Sequence, residues 1–123
     1  MNKVTLIGRL TKEVEVKQTQ SGKAVATFTL AVNRRLTKEQ RDSGAQSADF
    51  LPCVAWGRTA EIAGQYLHRG SKAAVEGRIQ ARSYDTQDGS KRYVTEIIIN
   101  ELELLDSKNS SSNPTPQDEE IPF

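Results

Sequence analysis

The stretch Thr59-Ala60-Glu61-Ile62-Ala63-Gly64-Gln65-Tyr66-Leu67-His68-Arg69-Gly70 decides how the rest of the chain is read. Ala60, Ala63, Tyr66 and Leu67 recur at i, i+3 and i+4 spacing, which places them on one face of a short helix. Thr59 reads as its N-cap, with Glu61 in the first turn, where a carboxylate meets the positive end of the helix dipole. His68 and Arg69 suit the last turn, and Gly70 the left-handed position that ends it. Up to about residue 105 the remaining ordered segments read with period two.

Immediately before this helix, Asp49 to Gly57 reads as a strand, and immediately after it so does Lys72 to Tyr84. Further out lie Val4 to Leu10, Ala24 to Asn33 and Arg92 to Leu104, rich in β-branched and apolar residues. In Ala24 to Asn33 the residues Ala26, Phe28, Leu30 and Val32 alternate with Val25, Thr27, Thr29 and Ala31. Gln20-Ser21-Gly22-Lys23 is a turn signal, and the Asp-Gly within Asp85-Thr86-Gln87-Asp88-Gly89-Ser90-Lys91 marks a hairpin. Five strands with one helix between the third and fourth is the order of an OB-fold, an all-β, partly open Greek-key barrel. The pattern alone also admits other small barrels. Residues 35–48 are polar, lack a usable period and read as a long loop.

With 123 residues the chain holds one domain plus appendages. Residues 107–123 carry Lys108 and three acids, so the +1 net charge divides into a mildly basic body and an acidic tail. Cys53 is the only cysteine, which rules out an intrachain disulfide, and its neighbours Val54 and Ala55 mark it as a buried thiol. With His68 the only histidine, a His/Cys metal site lacks ligands. The expectation is no metal and no cofactor. Met1-Asn2-Lys3-Val4 lacks the apolar core of a signal peptide, and no segment approaches a membrane span, so the chain reads as soluble and intracellular. There is no phosphate-cradling Gly-Lys-Ser/Thr loop and no Ser/His/Asp or Cys/His set in plausible register, which makes an enzyme the weakest reading.

The chemistry gathers elsewhere. Alternation puts Phe50, Pro52, Val54 and Trp56 on one face of the third strand. On the fourth it puts Ala74, Glu76, Arg78, Gln80, Arg82 and Tyr84 outward, opposite an inner set of Val75, Gly77, Ile79 and Ala81. Arginine tracks phosphates, and an aromatic ring offers a platform for any base, so this outer face suits single-stranded nucleic acid. The loop adds Arg34, Arg35, Lys38 and Arg41. Each feature has a plainer reading: Phe50 and Trp56 as core, outward arginines as a solvated face. Their combination carries more weight than any one of them.

Ser107 to Gln117 contains no apolar residue and reads as a flexible Ser/Asn/Pro linker. The chain then reads Asp118-Glu119-Glu120-Ile121-Pro122-Phe123, three acids leading into an apolar tip. Leaving Ile121 and Phe123 in water forgoes roughly 1.5–3 kcal/mol each of burial. A partner pocket that is hydrophobic and rimmed by Lys or Arg suits this tip better than bulk solvent does.

Taken together, Asn2 to Leu10, Ala24 to Ala31, Tyr66 to Ser71, Val75 to Arg78, Arg92 to Glu96 and the Asp118–Phe123 tip resemble the bacterial single-stranded DNA-binding protein family. The resemblance implies an OB-fold domain over residues 1–106, a linker over 107–117 and a partner-binding tip over 118–123. It implies a non-catalytic, cytoplasmic, nucleoid-associated homotetramer. Such a protein coats single-stranded DNA with little sequence preference and recruits DNA replication, recombination and repair proteins through its tip. By the same resemblance Phe50, Trp56 and Tyr84 stack bases, and Lys3, Arg58, Arg69, Arg82 and Arg92 contact phosphates. At the first of the family's usual stacking positions this sequence has Leu36. Leu36 and the near-neutral body motivate a rival, an adaptor whose main ligand is protein. An RNA-binding OB domain is a third reading, separable by its response to the 2′-OH.

Overall fold

A computed structural model describes residues 1–105. Six strands and two helices follow in the order β1 (Val4–Leu10), β2 (Glu15–Gln18), β3 (Ala24–Asn33), α1 (Lys38–Asp42), β4 (Ala48–Trp56), α2 (Gly57–Tyr66), β5 (Lys72–Asp85) and β6 (Lys91–Leu104). The sheet runs β1-β5-β6-β4-β3-β2, and β1 also pairs with β3. That extra pairing, Arg9 with Ala31 and Leu10 with Leu30, closes β1, β5, β6, β4 and β3 into a barrel. Its β4–β6 pair is parallel and the others antiparallel, which is the OB-fold arrangement expected from the sequence. The strand missing from the sequence reading, β2, is a short, fully exposed edge on β3. Its Glu-Val-Lys-Gln has a single apolar residue and so no alternation to detect.

The core follows from the alternation. Ala26, Phe28 and Leu30 of β3 point inward with Cys53 and Ala55 of β4, Val75 of β5, and Ile97 and Ile99 of β6. Buried among them, the Cys53 thiol has its pKa pushed up to about 12 by desolvation and acts as a small apolar filler. Helix α2 covers one end with Ala60 and Ala63, and Leu67 just beyond it is 1% exposed. Small residues let it sit close: a Cβ on Gly64 would lie 2.5 Å from Val16 Cγ2 of β2.

The local readings of α2 need correction. Trp56, in an extended conformation, is the N-cap and makes no side-chain capping bond, while Thr59 lies inside the helix. The chain enters through Gly57 at φ +63°, so the helix begins sooner than its Thr suggests. Tyr66 is exposed rather than packed, and His68 and Arg69 lie past the C-cap Leu67. Gly70 does take a positive φ, in the turn whose N–H donates to the Leu10 carbonyl at 2.8 Å.

Residues 35–48 are not all loop. Thr37 caps α1, accepting from the Gln40 N–H while the Gln40 side chain accepts from the Thr37 N–H, a reciprocal capping box. The helix buries no residue, which is why no apolar period betrayed it.

Finally, β5 and β6 outrun the barrel. β1 pairs with β5 only up to Gly77, and β4 with β6 only from Ile97. Residues 80–85 and 91–96 therefore form a two-stranded arm, with Arg78 and Ile79 at its base opposite Ile98 and Ile97. Its root is a bulge: Glu76 faces Glu101 but Gly77 faces Ile99. A Cβ on Gly77 would lie 1.9 Å from the Ile98 carbonyl oxygen, so no larger residue fits there. Beyond this point no strand among the described residues stands opposite the inner face. Ile79 and Ala81, expected inside, are exposed for that reason. Asn2 anchors the root, its side chain donating to the Ile79 carbonyl at 2.8 Å and accepting from the Ile79 N–H at 3.0 Å.

Candidate nucleic-acid interface

The outer face of β3 and β4 is an uncharged wall. Register sets Val25 against Trp56, Thr27 against Val54, Thr29 against Pro52 and Ala31 against Phe50. All eight side chains point away from the core, because their neighbours Ala26, Phe28, Leu30, Cys53 and Ala55 point into it. Phe50 is 58% and Trp56 42% exposed, which dismisses the core reading of both rings. Across this wall runs a groove of about 150 Å³, lined by Thr27, Thr29, Pro52, Val54, Glu15 and Glu96, among others.

Cations flank the wall. Lys23 Nζ stands 5.7 Å from the centre of the Trp56 ring. Lys17 continues the Val25–Trp56 row on β2. The sequence reading missed both, because the residues that bring them to Trp56 are the undetected β2 and the β3 register. Arg58, in the first turn of α2, is exposed two residues past Trp56.

The arm supplies a second aromatic and cationic group. Arg78, Arg82 and Tyr84 share a face of β5, and Arg92 faces Tyr84 from β6. The Arg82 guanidinium lies 6.0 Å from the Tyr84 ring centre. Its Nε donates to Glu96 Oε1 at 2.7 Å, and this hydrogen bond raises the Arg82 pKa further above its ordinary value. Glu96 is the buried charged residue among the described ones, at 5% exposure.

Not every expected cation stands free. Arg34 is clasped to Asp49, Nη2 to Oδ1 at 2.6 Å, and the bond holds the Asp49 carboxyl below its ordinary pKa. That pins the start of the basic loop, while Arg35 and Arg41 remain exposed. Lys3 pairs with Glu76 at 3.5 Å. Glu76, Glu101 and Glu103 line a larger groove of about 420 Å³ along β1, β5 and β6, whose charge opposes a polyanion. Lys3 is thus drawn to the acidic side. Arg69 sits in the turn after α2, its N–H donating to Glu13 Oε2 at 3.0 Å. Asp118, Glu119, Glu120, Ile121, Pro122 and Phe123, with the linker before them, lie outside the described residues.

Among the described residues, no cluster of three or more His, Cys, Asp or Glu is arranged to hold a metal ion, and no helix is long and apolar enough to cross a membrane. A barrel with an aromatic wall and a basic arm has a clear counterpart. Residues 1–105 match the model of the single-strand binding protein family. The chain belongs to that family. It is 52% identical over 120 residues to single-stranded DNA-binding protein 3 of Clostridium acetobutylicum, covering 97% of this chain and 81% of the relative. It is 46% identical over 115 residues to single-stranded DNA-binding protein 2 of Listeria innocua, covering 94% and 70%. With the single-stranded DNA-binding protein of Bacillus cereus it shares 48% over 109 residues, covering 89% and 62%. In this member of the single-strand binding protein family, Leu36 lies half-buried just before the Thr37 cap.

Proposed function

We propose that this chain binds single-stranded DNA without reading its sequence, protecting it during replication, recombination and repair. The observation that carries the reading is the outward pair Phe50 and Trp56 on an uncharged wall, in a chain whose relatives are named single-stranded DNA-binding proteins. Bases stack on Phe50, Trp56 and, on the arm, Tyr84. Phosphates meet Arg35, Arg41, Arg58, Arg78, Arg82 and Arg92, with Arg34, Arg69 and Lys3 as lesser contacts because of their carboxylate partners or position. Lys23 joins this set beside Trp56, and Lys17 joins it from the far side of Val25 in the same row. The chain performs no catalysis and needs no cofactor.

Two further parts of the reading concern partners. The protein acts in the cytoplasm as a homotetramer at the nucleoid. β1 pairs with β3 only at Arg9 and Leu10, which leaves the Val4–Gly8 edge open to another copy. The Asp118–Phe123 tip recruits replication, recombination and repair proteins. Deleting those residues should abolish partner pull-down while oligo-dT affinity stays equal or rises; weaker DNA binding would contradict this role.

The central test uses Trp56, the only tryptophan. Its fluorescence is followed during titration with oligo-dT and with duplex DNA, at low and high salt. Quenching by oligo-dT alone, persisting at high salt, is expected of a stacked base. Absence of quenching, together with no shift in a mobility assay, sinks the DNA-coating role.

A further inference from the structure

Glu96 is an anomaly in a face offered to a polyanion. It is buried, it lines the groove beside Pro52 and Val54, and it is negative. Burying a carboxylate is costly unless a cation and hydrogen bonds compensate. Its partner is Arg82, whose side chain is half exposed while that of Glu96 is 6% exposed. The asymmetry is informative. Arginine presents five N–H donors, and the bond to Glu96 uses the one on Nε. The two terminal amino groups, which make the fork that grips phosphate, lie beyond it. The same contact leaves the guanidinium 6.0 Å from the Tyr84 ring centre.

We infer that Glu96 is a positioning residue that grips Arg82 by Nε and presents the remaining fork to a phosphate beside the base stacked on Tyr84. This rests on the reading of Arg82 and Tyr84 as DNA contacts. Glu96 itself touches no DNA. Its negative charge is tolerated because the oriented fork offsets the repulsion. An arginine is required in this arrangement, since a lysine ammonium is a single point that must choose between carboxylate and phosphate.

The test is oligo-dT affinity as a function of salt, on the full chain, with thermal melting to confirm folding. Each phosphate contact to a single strand adds about 0.7 to the slope of log K against log salt. R82Q should weaken binding about tenfold and lose about that much slope. E96A should do the same, and R82Q/E96A should be no worse than either. E96Q, whose amide oxygen still accepts from Nε, should keep the wild-type slope. R82K, which leaves the buried carboxylate paired, should behave like R82Q, and R82K/E96Q should recover because the competing charge is gone.

E96A binding as tightly as wild type, or more tightly, overturns the inference and makes Glu96 a repelling charge. So does a loss in E96A that adds to that of R82Q with no change of slope, because that is a purely structural role. Wild-type affinity and slope in R82Q removes Arg82 from the interface, a failure of the underlying contact assignment and separable from failure at Glu96 alone.

Discussion

The barrel wall and the β5–β6 arm differ in what they offer a polyanion, and on the proposed reading they divide the work of holding it. On the wall, Phe50 and Trp56 lie among Val25, Thr27, Thr29, Ala31, Pro52 and Val54, with no charge among the eight. On the arm, Arg82 and Arg92 stand beside the ring of Tyr84, Arg78 lies further down the same face, and Tyr93 is exposed on the opposite face. The wall is one layer of a closed barrel, so the backbone that carries its rings is backed by the core. The arm is a two-stranded ribbon past the end of that core, and an isolated ribbon is marginal in water. Its root needs added ties, which Asn2 supplies at Ile79 and Glu96 at Arg82. Stacking is rigid and insensitive to salt; charge contact is adaptable and sensitive to it. The sheet places each where the backbone suits it.

That division can be broken by substitution. Trp56→Ala should have the largest effect, weakening oligo-dT binding by about 1–3 kcal/mol, or about 5- to 150-fold, with the salt slope unchanged. The ring stands outside the core, so melting should move little. A large loss of slope would mean that the wall and arm do not divide as described. Next, replacing Arg78 and Arg92 together by Gln should lower the slope by about 1.4, at two phosphates, and weaken binding less at high salt than at low. Slope and affinity from one series of mobility-shift titrations across salt, which do not depend on the tryptophan that Trp56→Ala removes, decide both.

Much of this was legible in the sequence, and what was not has physical causes. The strands of the closed barrel were readable because each is tied to a core whose alternation shows through, as in Ala26, Phe28 and Leu30. The same periodicity put Phe50 and Trp56 on one face, but it could not say which face was out; Cys53 and Ala55 filling the interior settle that. β2 and α1 escaped because neither buries a residue. For α1 a signal was present, the Thr37 and Gln40 capping box, which depends on hydrogen bonds rather than on hydrophobicity. The error at Ile79 and Ala81 has a different origin. Alternation along β5 continues past Gly77, but the opposite wall does not, and a one-dimensional pattern carries no record of where a barrel ends. Register was the remaining gap: Lys23 over Trp56 and Glu96 under Arg82 are cross-strand facts.

Two smaller effects sharpen the comparison at the loop that joins β3 to β4. Leu36→Trp offers a ring where the chain has an aliphatic side chain. An exposed ring there should extend the stacking surface and tighten oligo-dT binding a few-fold, within the range of one stacked base. A second quenching signal from the new indole would confirm contact; unchanged affinity with an unquenched indole would show that DNA does not pass that point.

The smallest effect concerns the Arg34–Asp49 clasp. Both side chains are exposed, so the pair contributes little to stability, and on the proposed reading its interest lies in holding Arg34 back from DNA. The hydrogen bond from Arg34 lowers the Asp49 pKa below its ordinary 3.8. A carboxyl with a depressed folded value contributes fully above its unfolded value and loses that contribution as pH falls through the folded one. The clasp is therefore complete throughout neutral and mildly acidic solution, and it should loosen only below about pH 4. Asp49→Asn removes the charge at every pH. Oligo-dT affinity at pH 7 should rise about twofold, with a slope increase of no more than about 0.7 for the one cation released. Between pH 7 and 5 the difference between variant and wild type should stay constant, because nothing in the clasp titrates there. Tighter wild-type binding than Asp49→Asn at pH 7 would reverse the assignment. The clasp would then shape the basic loop for DNA, as Glu96 shapes Arg82, instead of competing with it.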